Sequence, residues 1–276
     1  MKINKLWLTA LLAFGLAACN KELNLEPAQN ISEELALSTD ANVKSVLLAA
    51  YDGLALDGLF GGNTLRDAEL LGADGEILWV GTYEAPRAVF NHQQIANNSE
   101  AENMWVDAYY TINICNNVLG ALDVVNEADR PQVEGEARWI RAMAYFQLVR
   151  FYGQAYQPGG NNAQPGVPIV LTPTRKIDEG SFVTRNTVEE CYAQILDDLA
   201  KAKTLLPEEN GVQASKFVAA ATMARVYLQM GRYTEARDEA NTVIESGFYS
   251  LVSDFAAEWN NDDNSSEDIY AVQISS

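Results

Sequence analysis

The segment VEGEARWIRAMAYFQLVRFYG, residues 133–153, is the stretch that most constrains how this chain folds. Its apolar residues surround the axis of a predicted helix instead of lining one face, as in helices that neighbours cover on most sides. Pro131 suits the first turn of this helix, and Gly153 ends it. We therefore expect a central, buried helix in which Arg138 and Arg141 are held by carboxylates.

Apolar residues at helical spacing predict further helices on both sides of this segment. One runs from about residue 40 to 56, with Thr39 or Asp40 as its cap. Another begins with a capping box in which Ser99 is the cap and Glu102 lies three residues on. A third runs from a cap at Thr187 to residue 206.

The segment AATMARVYLQMGRYTEARDEA, residues 220–240, fits the tetratricopeptide pattern of two helices joined by a tight turn. Small Ala224 lets the two helices approach, and Tyr227 packs between them. Gly231 makes the turn, and we expect Tyr233 to staple it. The predicted fold class is mostly α, a tetratricopeptide-like helical-repeat scaffold with long irregular loop insertions.

Residues 57–98 and 154–186 are the two long irregular stretches. Loops of such length inside a compact domain are usually functional or disordered. Aromatic rings with polar neighbours suit sugars, which present apolar C–H faces ringed by hydroxyls. The candidates in the first stretch are Trp79, Tyr83, Arg87, Phe90, Asn91 and His92, and those in the second are Tyr156 and Asn161.

The aromatic residues also have a purely structural interpretation. Trp79 and Phe90 could fold the first stretch onto the helices, because large aromatic side chains are usually mostly buried. Trp105 and Trp139 lie on helical faces, so we expect both in the core. Near the end of the chain, EDIYAVQISS, residues 267–276, alternates like a strand.

The net charge of the chain restricts its possible partners. A formal charge of −19 repels the phosphates of nucleic acids and of lipid head groups, so we expect no nucleic acid partner.

A disulfide between Cys115 and Cys191 is permitted outside the cytoplasm. Each lies on an apolar helical stripe, however, so we interpret both as buried free thiols.

Catalytic and metal chemistry find little support in the sequence. His92 is the only histidine, so any serine or cysteine triad would depend on it. No histidine pair or CxxC motif is present for zinc. The segment NNDDNSSED, residues 260–268, lacks the turn glycine of a calcium loop, and we interpret it as a solvated acidic loop. We predict no catalytic residue, no bound metal and no cofactor.

The amino terminus has the pattern of a lipoprotein signal. Lys2 and Lys5 precede an uncharged run, residues 6–18, which is shorter than the roughly 20 residues that span a bilayer. Leu-Ala-Ala-Cys at its end predicts cleavage before Cys19 and acylation of its thiol. The alternative is an ordinary export signal with an incidental cysteine. We assign residues 1–18 to the signal peptide, 19–36 to a lipidated leader and 37–276 to the helical domain.

Several motifs occur together in one order: the lipobox, MWVDAYYTINICNNVL, GEARWIRAMAYFQLVRFYG, GVPIV, TVEECYAQILDDLAKAKTLLP and the tetratricopeptide-like pair. With these motifs in this order, the chain resembles the SusD/RagB family of nutrient-binding surface lipoproteins of Bacteroidetes. The resemblance covers residues 1–276, and the helix ending in Arg-Phe-Tyr-Gly is its most specific motif. Because family members are roughly twice as long, we expect a further C-terminal half.

The resemblance implies a binding protein and not an enzyme. It implies a lipid anchor in the outer membrane, facing the cell exterior, and transfer of a glycan or oligosaccharide to a SusC-like TonB-dependent transporter. Some relatives serve peptides instead. Two other functions stay open: a surface glycoside hydrolase, and a tetratricopeptide-type adaptor whose groove binds a protein.

Replacing the predicted lipidation site tests the signal assignment. Cys19→Ser removes the thiol, so the protein should remain unlipidated and be lost from the outer membrane, because acyl chains supply the anchoring free energy. Metabolic labelling with a fatty-acid probe measures this directly. Continued labelling of the variant would refute the assignment.

Overall fold

The computed structural model describes residues 33–73, 75–259 and 264–273. Cys19, the signal peptide and most of the leader lie outside these residues. The α-helices of the described part are α1 (Glu33–Ala36), α2 (Asp40–Leu54), α3 (Asn63–Gly72), α4 (Glu84–Phe90), α5 (Ser99–Gly120), α6 (Arg130–Tyr152), α7 (Val188–Leu205), α8 (Lys216–Gln229) and α9 (Tyr233–Ile244). Two short 3-10 turns cover Glu179–Ser181 and Phe255–Trp259. The predicted mostly helical fold class is thus confirmed.

Helix α6 is the centre of the fold, as its composition predicts. Residues 139–149 are all buried. Helices α5 and α7 pack along it, and α2 and α8 also contact it. Trp139 is buried and donates its indole N–H to the Thr222 hydroxyl of α8 at 3.0 Å. Pro131 occupies the first turn and Gly153 is the C-cap, so both predicted ends are confirmed.

A buried ionic network holds α6 to its neighbours. The Arg141 guanidinium donates to both carboxylate oxygens of Asp198, at 2.8 and 2.9 Å, and to Asn116 Oδ1 at 2.8 Å. Arg138 bonds to Asp198 at 2.9 Å and to Glu134 at 2.7 Å. Both arginines are therefore held by carboxylates, as expected. Removing one member of a buried ion pair typically costs about 3–5 kcal/mol, so α5, α6 and α7 are tightly coupled.

The predicted N-terminal caps of α2 and α7 are confirmed, whereas that of α5 is wrong. Thr187 and Glu190 form a reciprocal capping box at the start of α7, and Thr39 caps α2. The cap of α5 is Asn98 and not Ser99: its Oδ1 accepts from the Glu100 amide at 2.9 Å. Because its Nδ2 also donates to the Ala85 carbonyl at 3.0 Å, Asn98 ties α4 to α5, which a serine hydroxyl could not do in the same way.

Residues 57–98 are more regular than predicted. They contain α3 and α4, whose few apolar residues, such as Leu70 and Val89, are buried against their neighbours. Each helix has ten residues or fewer, which is too short for the helical spacing of its apolar residues to be recognised in the sequence. Residues 154–186 are irregular as predicted, apart from one 3-10 turn.

The strand predicted over residues 267–276 is wrong for its described part. Residues 267–273 form no strand, and the one β-bridge found in the described residues joins Pro165 and Thr187. Among the residues that the structure describes, no strand is available to pair with the alternating segment. Tyr270 instead packs its ring 4.6 Å from that of Trp139.

The tetratricopeptide-like pair is present as α8 and α9. Gly231 makes the turn with φ of 71°, a left-handed conformation that favours glycine. Tyr233 does not staple the pair, because its side chain is 70% exposed. The Arg232 guanidinium covers the Tyr227 ring instead, at 4.5 Å from its centroid.

The two helical cysteines, Cys115 and Cys191, are buried and free, so the disulfide alternative is wrong. Burial raises the pKa of both thiols, which keeps them protonated and unreactive. None of the helices in the described ranges is long and apolar enough to cross a membrane.

Truncating a buried ring of α6 tests the central position of this helix. Phe146 is 3% exposed, so Phe146→Ala should lower the free energy of unfolding by about 3–5 kcal/mol through lost burial and a cavity. Phe182 is 81% exposed, and Phe182→Ala should change it by less than about 0.5 kcal/mol. Chemical denaturation of the full chain measures both. Equal midpoints for the two variants would mean that α6 is peripheral.

Candidate functional site

The candidate residues of the first irregular stretch lie on α4 and its two flanks. Trp79 is half-buried and packs on Gly81, where an added Cβ would approach the indole to 2.5 Å. The Trp79 indole N–H is buried and has no hydrogen-bond partner among the described residues. Arg87 fixes the same turn by donating to the Gly81 carbonyl at 2.8 Å. The glycine thus allows a flat indole surface to form next to α4.

The remaining candidates of this stretch differ in exposure. Tyr83 precedes α4 and is 75% exposed. Asn91 and His92 follow α4 and are also exposed, and His92 adopts a left-handed conformation with φ of 53°. Phe90 is half-buried, which agrees with its alternative role of holding the stretch in place.

Tyr156 lies elsewhere, at the start of the second irregular stretch. Its ring packs 4.9 Å from that of Tyr192 on α7. Asn161 is exposed, and its side chain accepts from the Ala163 amide at 3.3 Å. These two candidates therefore belong to a different segment of the chain from the candidates around α4.

A cavity of about 750 Å³ opens beside α4 and was not predicted. It is bounded by α3, α4, α5, the end of α6 and the residues that follow α4. Its lining combines aromatic, apolar, amide and charged side chains: Asp67, Leu71, Val89, Gln94, Ile95, Asn97, Glu100, Glu102, Met104, Trp105, Val106, Phe151, Tyr152 and Arg185. The first irregular stretch thus contributes Asp67, Leu71, Val89 and residues 94–97 to this wall.

Trp105 and Tyr152 form an aromatic corner of the cavity wall. The Trp105 ring lies 5.1 Å from that of Tyr152 in an edge-on arrangement and 4.9 Å from that of Tyr109. The Tyr152 hydroxyl donates to the Ala101 carbonyl at 2.5 Å, and burial raises its pKa, so it stays neutral. Trp105 was expected in the core, but it is half-buried and lines the cavity.

The charged groups around the cavity are mostly tied to fixed partners. Arg66 bonds to Asp67 at 2.9 Å and to Glu100. Burial raises the pKa of the Asp67 carboxyl, and the Arg66 guanidinium opposes that shift. Arg185 donates to the carbonyls of Tyr152 and Gly166 at 2.8 and 3.1 Å. The cavity therefore offers apolar rings framed by polar groups, an arrangement that suits a neutral polar ligand.

The described residues contain no cluster of three or more histidine, cysteine, aspartate or glutamate side chains able to hold a metal ion. Residues 260–263 of the acidic segment lie outside the described ranges, so its interpretation as a solvated loop stays a prediction.

Comparison with known families decides the identity of this fold. A SusD-like family model, described as starch-binding and associating with the outer membrane, matches residues 30–228. The chain belongs to the SusD-like family. Two SusD-like proteins of Formosa agariphila, P2 and P25, are 26% and 23% identical over 85% and 99% of this chain. The matches cover 45% and 52% of these proteins, so the chain spans about half the length of the curated relatives it matches.

Solved structures of the family share the fold. A SusD superfamily protein of Bacteroides fragilis superposes with a TM-score of 0.75 at 23% identity, over 86% of this chain and 56% of its own. One from Bacteroides thetaiotaomicron gives 0.71 at 26% identity, over 81% and 50%. A laminarin-binding SusD-like protein gives 0.64 at 21% identity, over 82% and 49%.

Proposed function

We propose that the protein is a lipid-anchored component of the outer membrane that binds a glycan or oligosaccharide and passes it to a SusC-like TonB-dependent transporter. The observation that carries the proposal is the aromatic cavity beside α4 in a chain of a starch-binding family. The laminarin-binding relative with the same fold supports a carbohydrate ligand. The lipobox ending at Cys19 supports the anchor.

The size and chemistry of the cavity fit a short stretch of glycan. A volume of about 750 Å³ falls within the roughly 300–1,000 Å³ of typical ligand pockets. Trp105 and Tyr152 supply apolar surface for sugar C–H faces, while Gln94 and Asn97 supply amide donors and acceptors for hydroxyls. We infer that these groups surround the ligand and reduce its contact with solvent.

The exposed candidates around α4 would extend this site outward. Val89 of α4 lines the cavity, and Tyr83, Arg87, Asn91 and His92 lie on or beside the same short helix. Trp79 packs on Gly81, whose carbonyl accepts a hydrogen bond from Arg87. Its indole therefore adds a further aromatic surface next to Arg87.

Alanine substitution of the outer aromatic residues tests the proposed site. Trp79→Ala together with Tyr83→Ala should abolish glycan binding and leave the helical circular dichroism spectrum unchanged, because neither residue belongs to a helix core. The loss should depend weakly on salt, since stacking on a neutral sugar involves no ion pair. Affinity electrophoresis of the full chain against a panel of polysaccharides measures both.

Tyr233→Ala is the matched control, because Tyr233 is a comparably exposed tyrosine on α9. It should be retarded like the parent. Retardation of the double variant equal to that of the parent would show that the residues around α4 are structural. Release of oligosaccharides during incubation would instead favour the glycoside hydrolase, and retention of a protein partner without any glycan would favour the adaptor.

A further inference from the structure

Arg185 lies at the cavity beside α4 with only part of its hydrogen-bonding capacity in use. Its Nη1 atom donates to the carbonyls of Tyr152 and Gly166, at 2.8 and 3.1 Å. Within the described ranges, its Nε and Nη2 atoms make no hydrogen bond, and no carboxylate lies at ion-pair distance from the guanidinium. Because the residue is exposed and lines the cavity, these N–H groups are available to a ligand.

The unused part of the guanidinium is one intact edge. The Nε–H bond and one N–H bond of Nη2 point the same way in this planar group, so together they form a two-pronged donor. The backbone beside Arg185 is held in place, because the Asn186 amide donates to the Val167 carbonyl at 3.1 Å and the Gly166 amide donates to the Asn186 carbonyl at 2.8 Å. A donor that is fixed before a ligand arrives loses little entropy on binding.

The aromatic corner of the cavity lies next to this donor. The Trp105 and Tyr152 rings, 5.1 Å apart, line the same cavity as Arg185. One of the two carbonyls that hold Arg185 belongs to Tyr152 itself. A sugar ring that stacks on the corner would bring the hydroxyls at its rim close to the guanidinium, and the aromatic face supplies an apolar contact that an arginine alone lacks.

The other charged groups of the cavity restrict what this donor can bind. Asp67 and Glu100 are paired with Arg66, and Glu102 also lines the cavity. A ligand carboxylate would thus meet three carboxylates of the wall, in a chain whose formal charge is −19. Neutral hydroxyl oxygens accept from a guanidinium without this repulsion, and their O–H groups can donate to the carboxylates.

We propose that Arg185 selects glycans in which a stacked sugar keeps two adjacent free hydroxyls. The Nε and Nη2 edge donates to both oxygens, while the sugar ring packs on Trp105 and Tyr152. Pyranose chains linked to O4 keep O2 and O3 free in every residue, whereas the inner residues of chains linked to O3 keep no adjacent pair. The inference rests on the proposed glycan-binding function, and it adds a substrate class and the residue that determines it.

Matched polysaccharides test this selectivity. Soluble chains of glucose, mannose, xylose and galactose are each compared in an O4-linked and an O3-linked form, and polymers are used because the terminal residue of any chain keeps adjacent hydroxyls. Affinity electrophoresis of the intact protein should give a dissociation constant about tenfold lower for at least one O4-linked polymer than for its O3-linked counterpart, as expected for a contact with a charged donor. Added salt should change this ratio little, since the ligand is uncharged.

Arg185→Lys separates the two-pronged donor from its charge. A lysine ammonium keeps the charge and can still donate to the Tyr152 and Gly166 carbonyls, but it has no planar edge with two parallel N–H bonds. The ratio between the two linkages should therefore fall to about one, while the helical circular dichroism spectrum stays that of the parent. Arg237→Lys is the matched control, because it makes the same change at an exposed arginine of α9 that pairs with Asp238. It should keep the ratio of the parent.

The outcomes separate this inference from the proposed function. Equal binding of both linkages by the parent protein, or a ratio that survives in Arg185→Lys, would overturn the role of Arg185 and leave glycan binding intact. Tightest binding of a polymer of uronic acids included in the panel, weakened by salt, would overturn the hydroxyl pair in favour of a carboxylate. Failure of every polysaccharide to bind would overturn both proposals.

Discussion

The bond between Arg141 and Asp198 is the interaction on which the rest of the structure depends. It places a guanidinium and a carboxylate, both buried, between α6 and α7. Asn116 of α5 completes the network and also donates its amide to the carbonyls of Val170 and Thr172 at 3.0 and 3.2 Å. A helix surrounded by apolar neighbours could slide or rotate among them, whereas these directional bonds allow one arrangement.

The same scaffold positions the irregular stretches. The Tyr145 hydroxyl on α6 donates to the Val170 carbonyl and accepts from the Val170 amide, at 2.8 and 2.7 Å, so the second stretch is fixed to the buried helix. At the end of α6, Tyr152 bonds to Ala101 of α5 and receives Arg185 at its carbonyl. Side-chain hydrogen bonds therefore hold the α5 and α6 side of the cavity beside α4 in place, which favours preorganised binding.

The sequence predicts the scaffold better than the site, for a physical reason. The apolar residues on all sides of α6 and the caps at Thr39 and Thr187 are local sequence patterns. They can be recognised from the sequence because they do not depend on which other segments pack nearby. Trp105 follows the same helical stripe as buried residues of α5, and periodicity cannot distinguish a core position from a cavity wall. The cavity brings residues of α3, α4, α5 and α6 to one wall, and no spacing along the chain reveals that they meet.

Hydrogen exchange of the full chain, with and without the neutral oligosaccharide that binds best, tests the central claim that rigid helices present a glycan site beside α4. The account predicts added protection in peptides covering residues 78–106, which contain α4 and the first turns of α5. Exchange in α8 and α9 should stay unchanged. Protection confined to α8 and α9, with none around the cavity, would contradict the account and indicate a tetratricopeptide-type binding surface instead.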